Sequence, residues 1–169
     1  MEEKTRDELY KRGLEYFYKE DKIFYPKLNI EQGTKVAQFL FSKFKCSHCG
    51  ICCEGNLNRK FFRQDMDKIC KFLNISHKQF KKNNTVMFNK HGGKWLGKCP
   101  YHENNKCSIW DARPLVCRQF PFNHIVQENN EIKFIPQSFC KPYIILLYII
   151  FCQDITQEQR VNYLKDFDL

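Results

Sequence analysis

A chain of 169 residues and 20.5 kDa is long enough for one domain with a modest core, and two independent domains are not expected. Ten cysteines would read as disulfides in a secreted chain, but the opening run Met1-Glu2-Glu3-Lys4-Thr5-Arg6-Asp7-Glu8 has no apolar stretch of the kind a signal peptide needs. A reduced, cytoplasmic setting follows as the expectation, and there grouped cysteines favour metal binding over cross-linking.

The formal charge of +9 arises in one segment, because residues 59–98 hold 11 Lys/Arg against only Asp65 and Asp67. If eight thiolates held two zinc ions, that total would fall to about +5, so much of the excess could balance metal-bound sulfur.

In chain order, Thr5-Arg6-Asp7-Glu8 has the form of a capping box, with Tyr10, Leu14, Phe17 and Tyr18 at helical spacing behind it. Pro26 closes the next stretch. Val36, Ala37, Leu40, Phe41 and Phe44 then predict a second helix running up to the first cysteine. Aromatic residues at these periods are expected in the core.

Four cysteines then fall within eight residues, in Lys45-Cys46-Ser47-His48-Cys49-Gly50-Ile51-Cys52-Cys53. Two residues between ligands is the knuckle spacing, in which a tight turn brings both sulfurs to one centre, and Gly50 tolerates the positive φ that such a turn needs. A turn is expected at Gly55-Asn56-Leu57-Asn58. Met66, Ile69, Cys70 and Leu73 mark a short helix with Asp65 near its start, and Cys70 reads as a small buried hydrophobe. Ser76-His77-Lys78-Gln79 caps a further short helix that stops at Lys81-Lys82-Asn83-Asn84. Thr85 to Phe88 and Lys94 to Leu96 predict a hairpin about His91-Gly92-Gly93.

The second cysteine-bearing stretch contains Cys99-Pro100-Tyr101-His102, Cys107-Ser108-Ile109-Trp110 and Arg113-Pro114-Leu115-Val116-Cys117-Arg118-Gln119-Phe120-Pro121. Its prolines predict turns and short extended pieces around one centre. Beyond it, Ile132 to Ile135 reads as a strand and Ser138 to Lys141 presents Cys140. Tyr143 to Cys152 is a buried element, too short for the roughly 20 residues of a membrane span. Thr156-Gln157-Glu158-Gln159 caps a last helix with Val161 and Leu164 on its face. The fold class expected is α+β: short helices, a small β-hairpin and irregular segments organised around a cysteine-metal centre, all as one domain over residues 1–169.

Cys-x2-Cys-Gly-x-Cys-Cys, followed by Cys-Pro, Cys-Ser-Ile-Trp and Arg-Pro-Leu-x-Cys-Arg-x-Phe-Pro, resembles the CxxCxxCC family of zinc- or iron-chelating domains across residues 46–140. The cysteine pattern also resembles that of flagellin lysine N-methylase. The resemblance implies metal ligands at Cys46, Cys49, Cys52, Cys53, Cys99, Cys107 and Cys117, with Cys140 as an eighth. Cys70 and Cys152 lie outside it.

The spacing leaves zinc and iron-sulfur open. Eight thiolates suit two tetrahedral zinc sites, whereas Cys46-x2-Cys49-x2-Cys52 is similar to the three-cysteine run of bacterial ferredoxins, from which the immediate Cys53 departs. The methylase resemblance tilts the expectation towards a [4Fe-4S] cluster. Arg113 and Arg118 are expected beside the ligands, donating N–H groups to sulfur. His48 sits in the first knuckle and His102 follows Cys99-Pro100, so either could replace a cysteine ligand, but the cysteines already suffice.

Three functions are carried forward in order: a metal-binding protein of unassigned cellular task, a protein-lysine methyltransferase using S-adenosylmethionine, and a nucleic-acid-binding module. Whether the chain is an enzyme stays open, as does the choice between a protein substrate and a redox partner. No glycine-rich nucleotide loop is present, and no membrane partner is expected. Nucleic acid ranks last although Lys60, Arg63, Lys68, Lys71, Lys78, Lys81, Lys82, Lys90, Lys94 and Lys98 could meet phosphates. Phe61, Phe62, Phe72 and Phe80 among them are expected in the core, leaving no stacking platform.

Overall fold

The computed structural model describes residues 1–19, 22–47, 49–54, 60–84, 86–96, 98–104 and 106–166. Among these the chain is α+β, with eight α-helices and small antiparallel sheets of two or three strands. It divides into two units, one of residues 1–47 with 121–169 and one of residues 48–120. The turn expected at Gly55-Asn56-Leu57-Asn58, along with His48 and Thr85, lies outside the described residues.

The first unit opens with helix α1 (Glu3–Phe17), which buries Leu9, Gly13 and Phe17. The capping box expected at Thr5 does not form. The Arg6 N–H already donates to the Glu2 carbonyl at 3.1 Å, so the helix starts ahead of Thr5, with acidic Glu3 in its first turn where the helix dipole favours negative charge. Strands β1 (Tyr18–Lys19) and β2 (Lys22–Ile23) pair with each other. Strand β3 (Lys27–Asn29) leads into α2 (Ile30–Lys43), where Asn29 Oδ1 accepts the Gln32 N–H at 2.9 Å. Leu40 is buried on α2, whereas Phe41 is 66% exposed and not in the core as its spacing suggested.

The second unit comprises α3 (Ile51–Glu54), β4 (Lys60–Phe62), α4 (Arg63–Leu73), α5 (His77–Asn83), β5 (Val86–Asn89), β6 (Gly92–Trp95), β7 (His102–Glu103), β8 (Lys106–Cys107), a 3-10 turn at Trp110–Ala112, and α6 (Leu115–Gln119). Ser76 caps α5 through reciprocal bonds with Gln79 at 2.7 and 3.2 Å, as expected. The sheet runs β4-β6-β5, with Gly93 opposite Phe61, and a Cβ at Gly93 would meet Phe61 Cζ at 2.5 Å. Glycine therefore lets the Phe61 ring lie across the sheet onto Trp95, 4.3 Å between centroids. Gly92 and Gly93 are strand residues, so the hairpin turns at Lys90-His91 instead of at the glycines.

Trp95 also packs on Phe80 and Tyr101 and donates Nε1–H to Asn84 Oδ1 at 3.2 Å. Met66, Ile69 and Cys70 complete this core from α4, and Cys70 is the small buried hydrophobe expected. Phe62 and Phe72 are not core residues. Phe62 alternates outward from Phe61 and is 55% exposed, and Phe72 lies off the buried face of α4.

Asp65, 4% exposed, ties the cysteine-bearing end of this unit to its core. Its Oδ2 accepts the Phe62 N–H at 2.9 Å, closing the start of α4. Its Oδ1 accepts the Leu115 N–H at 3.0 Å, so it also caps α6, where Pro114 has no side chain able to do so. Arg118 approaches the same carboxylate at 3.8 Å. With that cap, Leu115 to Gln119 forms a helix where the sequence predicted only turns and extended pieces.

The chain then returns to the first unit through β9 (Ile125–Glu128) and β10 (Glu131–Phe134), joined by Asn129 and Asn130 at φ 49° and 63°, a two-residue turn with both centres left-handed. The sheet order is β3-β10-β9, and α2 lies close on β10, where a Cβ at Gly33 would meet Ile132 Cβ at 2.6 Å. Helix α7 (Lys141–Phe151) is buried from Tyr143 to Ile149. A helix apolar all round belongs in a core, and α1 reaches it at Gly13, whose Cβ would meet Ile144 Cγ2 at 2.7 Å. Lys141 is clamped by Glu3 and Asp7 of α1 at 2.6 and 2.5 Å. No described helix is long and apolar enough to cross a membrane.

Helix α8 (Gln157–Lys165) starts with the expected Thr156–Gln159 box, at 3.0 and 3.2 Å, although Val161 is 41% exposed and not on a buried face. Its main contribution is Arg160, whose guanidinium donates to the carbonyls of Ile149, Ile150, Cys152 and Ile155. Helix ends leave carbonyls without intrahelical partners, and a cation at the C-terminus also meets the favourable end of the dipole.

Arg160→Met keeps the bulk of the side chain and removes these donors, so it should destabilise the protein by on the order of 2 kcal/mol, measured by denaturant unfolding. Asp65→Ala should cost a similar amount, roughly 2 kcal/mol, and should speed amide hydrogen exchange at both Phe62 and Leu115. Faster exchange at Phe62 alone would mean that Asp65 does not hold α6.

Candidate metal centre

Gly50 has φ +74°, a value that L side chains adopt at a cost, and the Cys53 N–H donates to its carbonyl at 2.7 Å. This turn starts α3, a single helical turn that carries Cys52 and Cys53 side by side. Forty-six positions later, the Cys99 N–H donates to the Cys53 carbonyl at 3.0 Å, which fastens the second cysteine stretch to the first. From Cys99 the chain turns, with the His102 N–H on the Cys99 carbonyl at 3.3 Å, into the β7–β8 pair, where His102 stands opposite Cys107. Tyr101, between them, is buried against Trp95 and anchors the turn to the core.

The thiols follow the backbone together. Cys53 shares hydrogen bonds with Cys52 and Cys99, and Cys107 lies within electrostatic reach of both Cys53 and Cys99. Sulfurs from two distant segments therefore occupy one place in the second unit. The hydrogen bond to Cys52, with burial and the neighbouring thiols acting in the same direction, pushes the Cys53 thiol up to about 12 against the opposing effect of Cys99. Burial likewise raises Cys107, while a hydrogen bond from the Ile109 backbone and the charge of Arg113 lower it. Arg113 is itself fixed by Trp110, donating Nε–H to its carbonyl at 2.8 Å with the guanidinium 3.1 Å from the ring centroid.

Cys117 is half-buried on α6, its N–H on the Pro114 carbonyl at 3.0 Å, and the neighbouring Arg118 points to Asp65. Cys49 is exposed beside Gly50. Cys46 and Cys140 belong to the first unit: Cys46 is exposed beyond α2, and Cys140 is buried at the start of α7. There burial first, and Cys140 next, raise the Tyr143 hydroxyl. Cys152, outside the motif, is buried near Asp154 at 3.9 Å. None of the ten cysteines is in a disulfide.

Among the described residues, no group of three or more His, Cys, Asp or Glu side chains stands ready to grip an ion, and Cys53 is hydrogen-bonded to Cys52 and to Cys99 instead. The donor chemistry nevertheless fits a soft or borderline metal, because the groups brought together around Cys53 are sulfurs. Two features of the site were not drawn from the sequence. One is the double cap by Asp65, whose second partner is 50 residues away. The other is the close approach of His102 to Gly50, where an added Cβ would collide with the imidazole, Nε2 first.

No solved structure matches the chain. The chain is similar to the uncharacterized protein MJ0661 of Methanocaldococcus jannaschii, 33% identical over 92 residues, which are 52% of this chain and 48% of that protein. It thus spans about half the length of the curated relative it matches. A family model described as "putative zinc- or iron-chelating domain" matches residues 45–141, a span that holds both cysteine stretches and the elements between them. The chain belongs to the CxxCxxCC family of metal-chelating domains.

Proposed function

We propose that the chain is an iron-sulfur protein whose cluster is held in the second unit by Cys52, Cys53, Cys99 and Cys107, with Cys49 and Cys117 as neighbouring donors. The observation that carries this reading is the run of hydrogen-bonded thiols from Cys52 through Cys53 to Cys99, drawn from both segments of the family motif. Consecutive residues on a helical turn diverge by about 100°, so Cys52 and Cys53 serve two metal atoms of one cluster more easily than two corners of a single tetrahedral ion. That supports a polynuclear centre over a mononuclear zinc site.

The residues around the thiols have defined tasks in this reading. Gly50 turns the chain so that Cys52 and Cys53 follow on one turn. The Cys99–Cys53 backbone bond sets the distance between segments. Arg113, held on Trp110, favours the thiolate form of Cys107, and metal binding requires deprotonated sulfur. Bound there, a [4Fe-4S] cluster would supply one-electron chemistry and cross-link the two segments.

Anaerobic purification followed by iron, sulfide and zinc analysis and a visible spectrum tests the proposal. Brown protein with acid-labile sulfide is expected, as is loss of both iron and colour in Cys53→Ser and Cys99→Ser. Colourless protein with stoichiometric zinc and no sulfide would replace the cluster with structural zinc. Metal binding by small thiolate domains can supply on the order of 10 kcal/mol, so removing the metal should loosen residues 48–120 in hydrogen exchange. Unchanged exchange there after complete removal would show that the unit's own core suffices.

A further inference from the structure

Cys53 and Cys99 touch twice. The Cys99 N–H donates to the Cys53 carbonyl at 3.0 Å, and the two thiols are hydrogen-bonded to each other. A main-chain bond of that length keeps the two Cα atoms within about 7 Å, and disulfides bridge Cα separations of roughly 4.4 to 6.8 Å. The bond between the side chains adds that the sulfurs face one another. Both residues are half-buried, within reach of a small reagent, whereas Cys70, Cys140 and Cys152 are buried.

Cys52 is also hydrogen-bonded to Cys53, but that contact is not one a disulfide can use. Adjacent Cα atoms stand only about 3.8 Å apart, below the bridging range, and their side chains diverge by about 100° on a helical turn. We infer that Cys53 and Cys99 form a reversible disulfide pair, closed by exchange with a low-molecular-weight disulfide when no metal holds their sulfurs. One thiolate of the pair attacks a sulfur of the small disulfide, forming a mixed disulfide and expelling one small thiol. The other protein thiol gives its proton to solvent as its sulfur attacks the mixed disulfide, which closes the protein bond and expels the second small thiol. Two protein thiols are thus oxidised while one small disulfide is reduced to two thiols. The new bond joins the segments where a main-chain bond already joins them, so it closes without rearranging α3. It also takes two of the sulfurs assigned above to the cluster, so oxidised protein cannot load metal. That consequence rests on the cluster reading; the pairing does not.

The test uses the full chain, reduced and stripped of metal anaerobically, as wild type, Cys52→Ser and Cys99→Ser. Each is equilibrated with increasing ratios of oxidised to reduced glutathione, its free thiols are trapped by alkylation, and linked peptides are sequenced by tandem mass spectrometry. Uptake of iron with sulfide, and of zinc, is measured on the reduced, oxidised and re-reduced protein.

The wild type and Cys52→Ser should both yield a Cys53–Cys99 link that dithiothreitol reverses, and Cys99→Ser should leave Cys53 without an intramolecular link. The oxidised wild type should lose metal uptake and regain it on re-reduction. Cys53 and Cys99 that stay alkylated in excess oxidised glutathione, end only as separate mixed disulfides, or link to other cysteines would overturn the pairing, and the wild-type map decides this even if a variant does not fold. A Cys53–Cys99 link in a protein whose reduced form takes up no metal would keep the pair and remove the cluster reading. Metal uptake by reduced protein that never forms the link would do the reverse.

Discussion

The hydrogen bond from the Cys99 N–H to the Cys53 carbonyl, 3.0 Å long, is the contact on which the arrangement of the second unit turns. It is the point where two cysteine-bearing stretches, separated by two helices and a three-stranded sheet, become neighbours. A backbone bond does this independently of side-chain identity, so the thiols of Cys52, Cys53 and Cys99 can meet and hydrogen-bond without any of them positioning the chain. The intervening residues make that bond possible. Phe61, Phe80, Trp95 and Tyr101 form an aromatic core whose last member lies two residues after Cys99, so packing of Tyr101 on Trp95 delivers Cys99 to its place.

The same unit shows how a small core can hold segments with little regular structure of their own. The cysteine-bearing elements α3, β8 and α6 are four, two and five residues long, below the length at which helices or strands are stable alone. Each is fixed from outside: α3 by Gly50 and Cys99, β8 by its pairing with β7, and α6 by Asp65. Burying Asp65 carries a desolvation cost, offset by two backbone donors and a nearby guanidinium. Domains of this size bury proportionally less surface than larger ones, so cross-links between segments, whether carboxylate or metal, contribute a large share of their stability.

Much of this was legible in the sequence where the signal is local. The boxes at Ser76 and Thr156 form as their spacing implies, and the apolar run at Tyr143 to Cys152 is a buried helix. Cys70 could be separated from the motif cysteines because it falls on a helical apolar face. The misreadings arise where a local pattern competes with another force. Thr5 to Glu8 has the right letters for a cap, but helix formation begins at Glu3 and leaves Thr5 inside it. Proline at 114 suggested an irregular chain, and the helix after it depends on a carboxylate remote in sequence. Asn129-Asn130 was an overlooked turn signal, since asparagine tolerates the left-handed conformation that both residues adopt. Phe62 and Phe72 were assigned to the core by residue type, whereas strand alternation and helical phase turn them outward. The backbone bond from Cys99 to Cys53 and the His102 contact with Gly50 depend on three-dimensional placement that no spacing encodes.

The basic excess of residues 59–98 takes on a clearer meaning beside these contacts. Its two acids are both engaged, Asp65 as an internal cap and Asp67 with His77 at 2.8 Å. The lysines are distributed over α4, α5, β4 and β6, and one exposed aromatic among them, Phe88, already has the Lys81 ammonium 5.0 Å from its ring centroid. Phe62 and Phe72 stand on separate elements, an outward strand position and an outward helix position. Single-strand recognition needs successive stacking faces along a charged groove, and a ring covered by its own lysine contributes less to such a platform. In the proposed cluster, thiolates gathered at one point would leave negative charge that the bound metal neutralises only in part. Cations spread over the same unit counter that charge at Coulomb range without requiring a contact to any one sulfur. The charge distribution is thus consistent with a unit organised around sulfur, and Arg113, beside Cys107, is the place where the compensation becomes local.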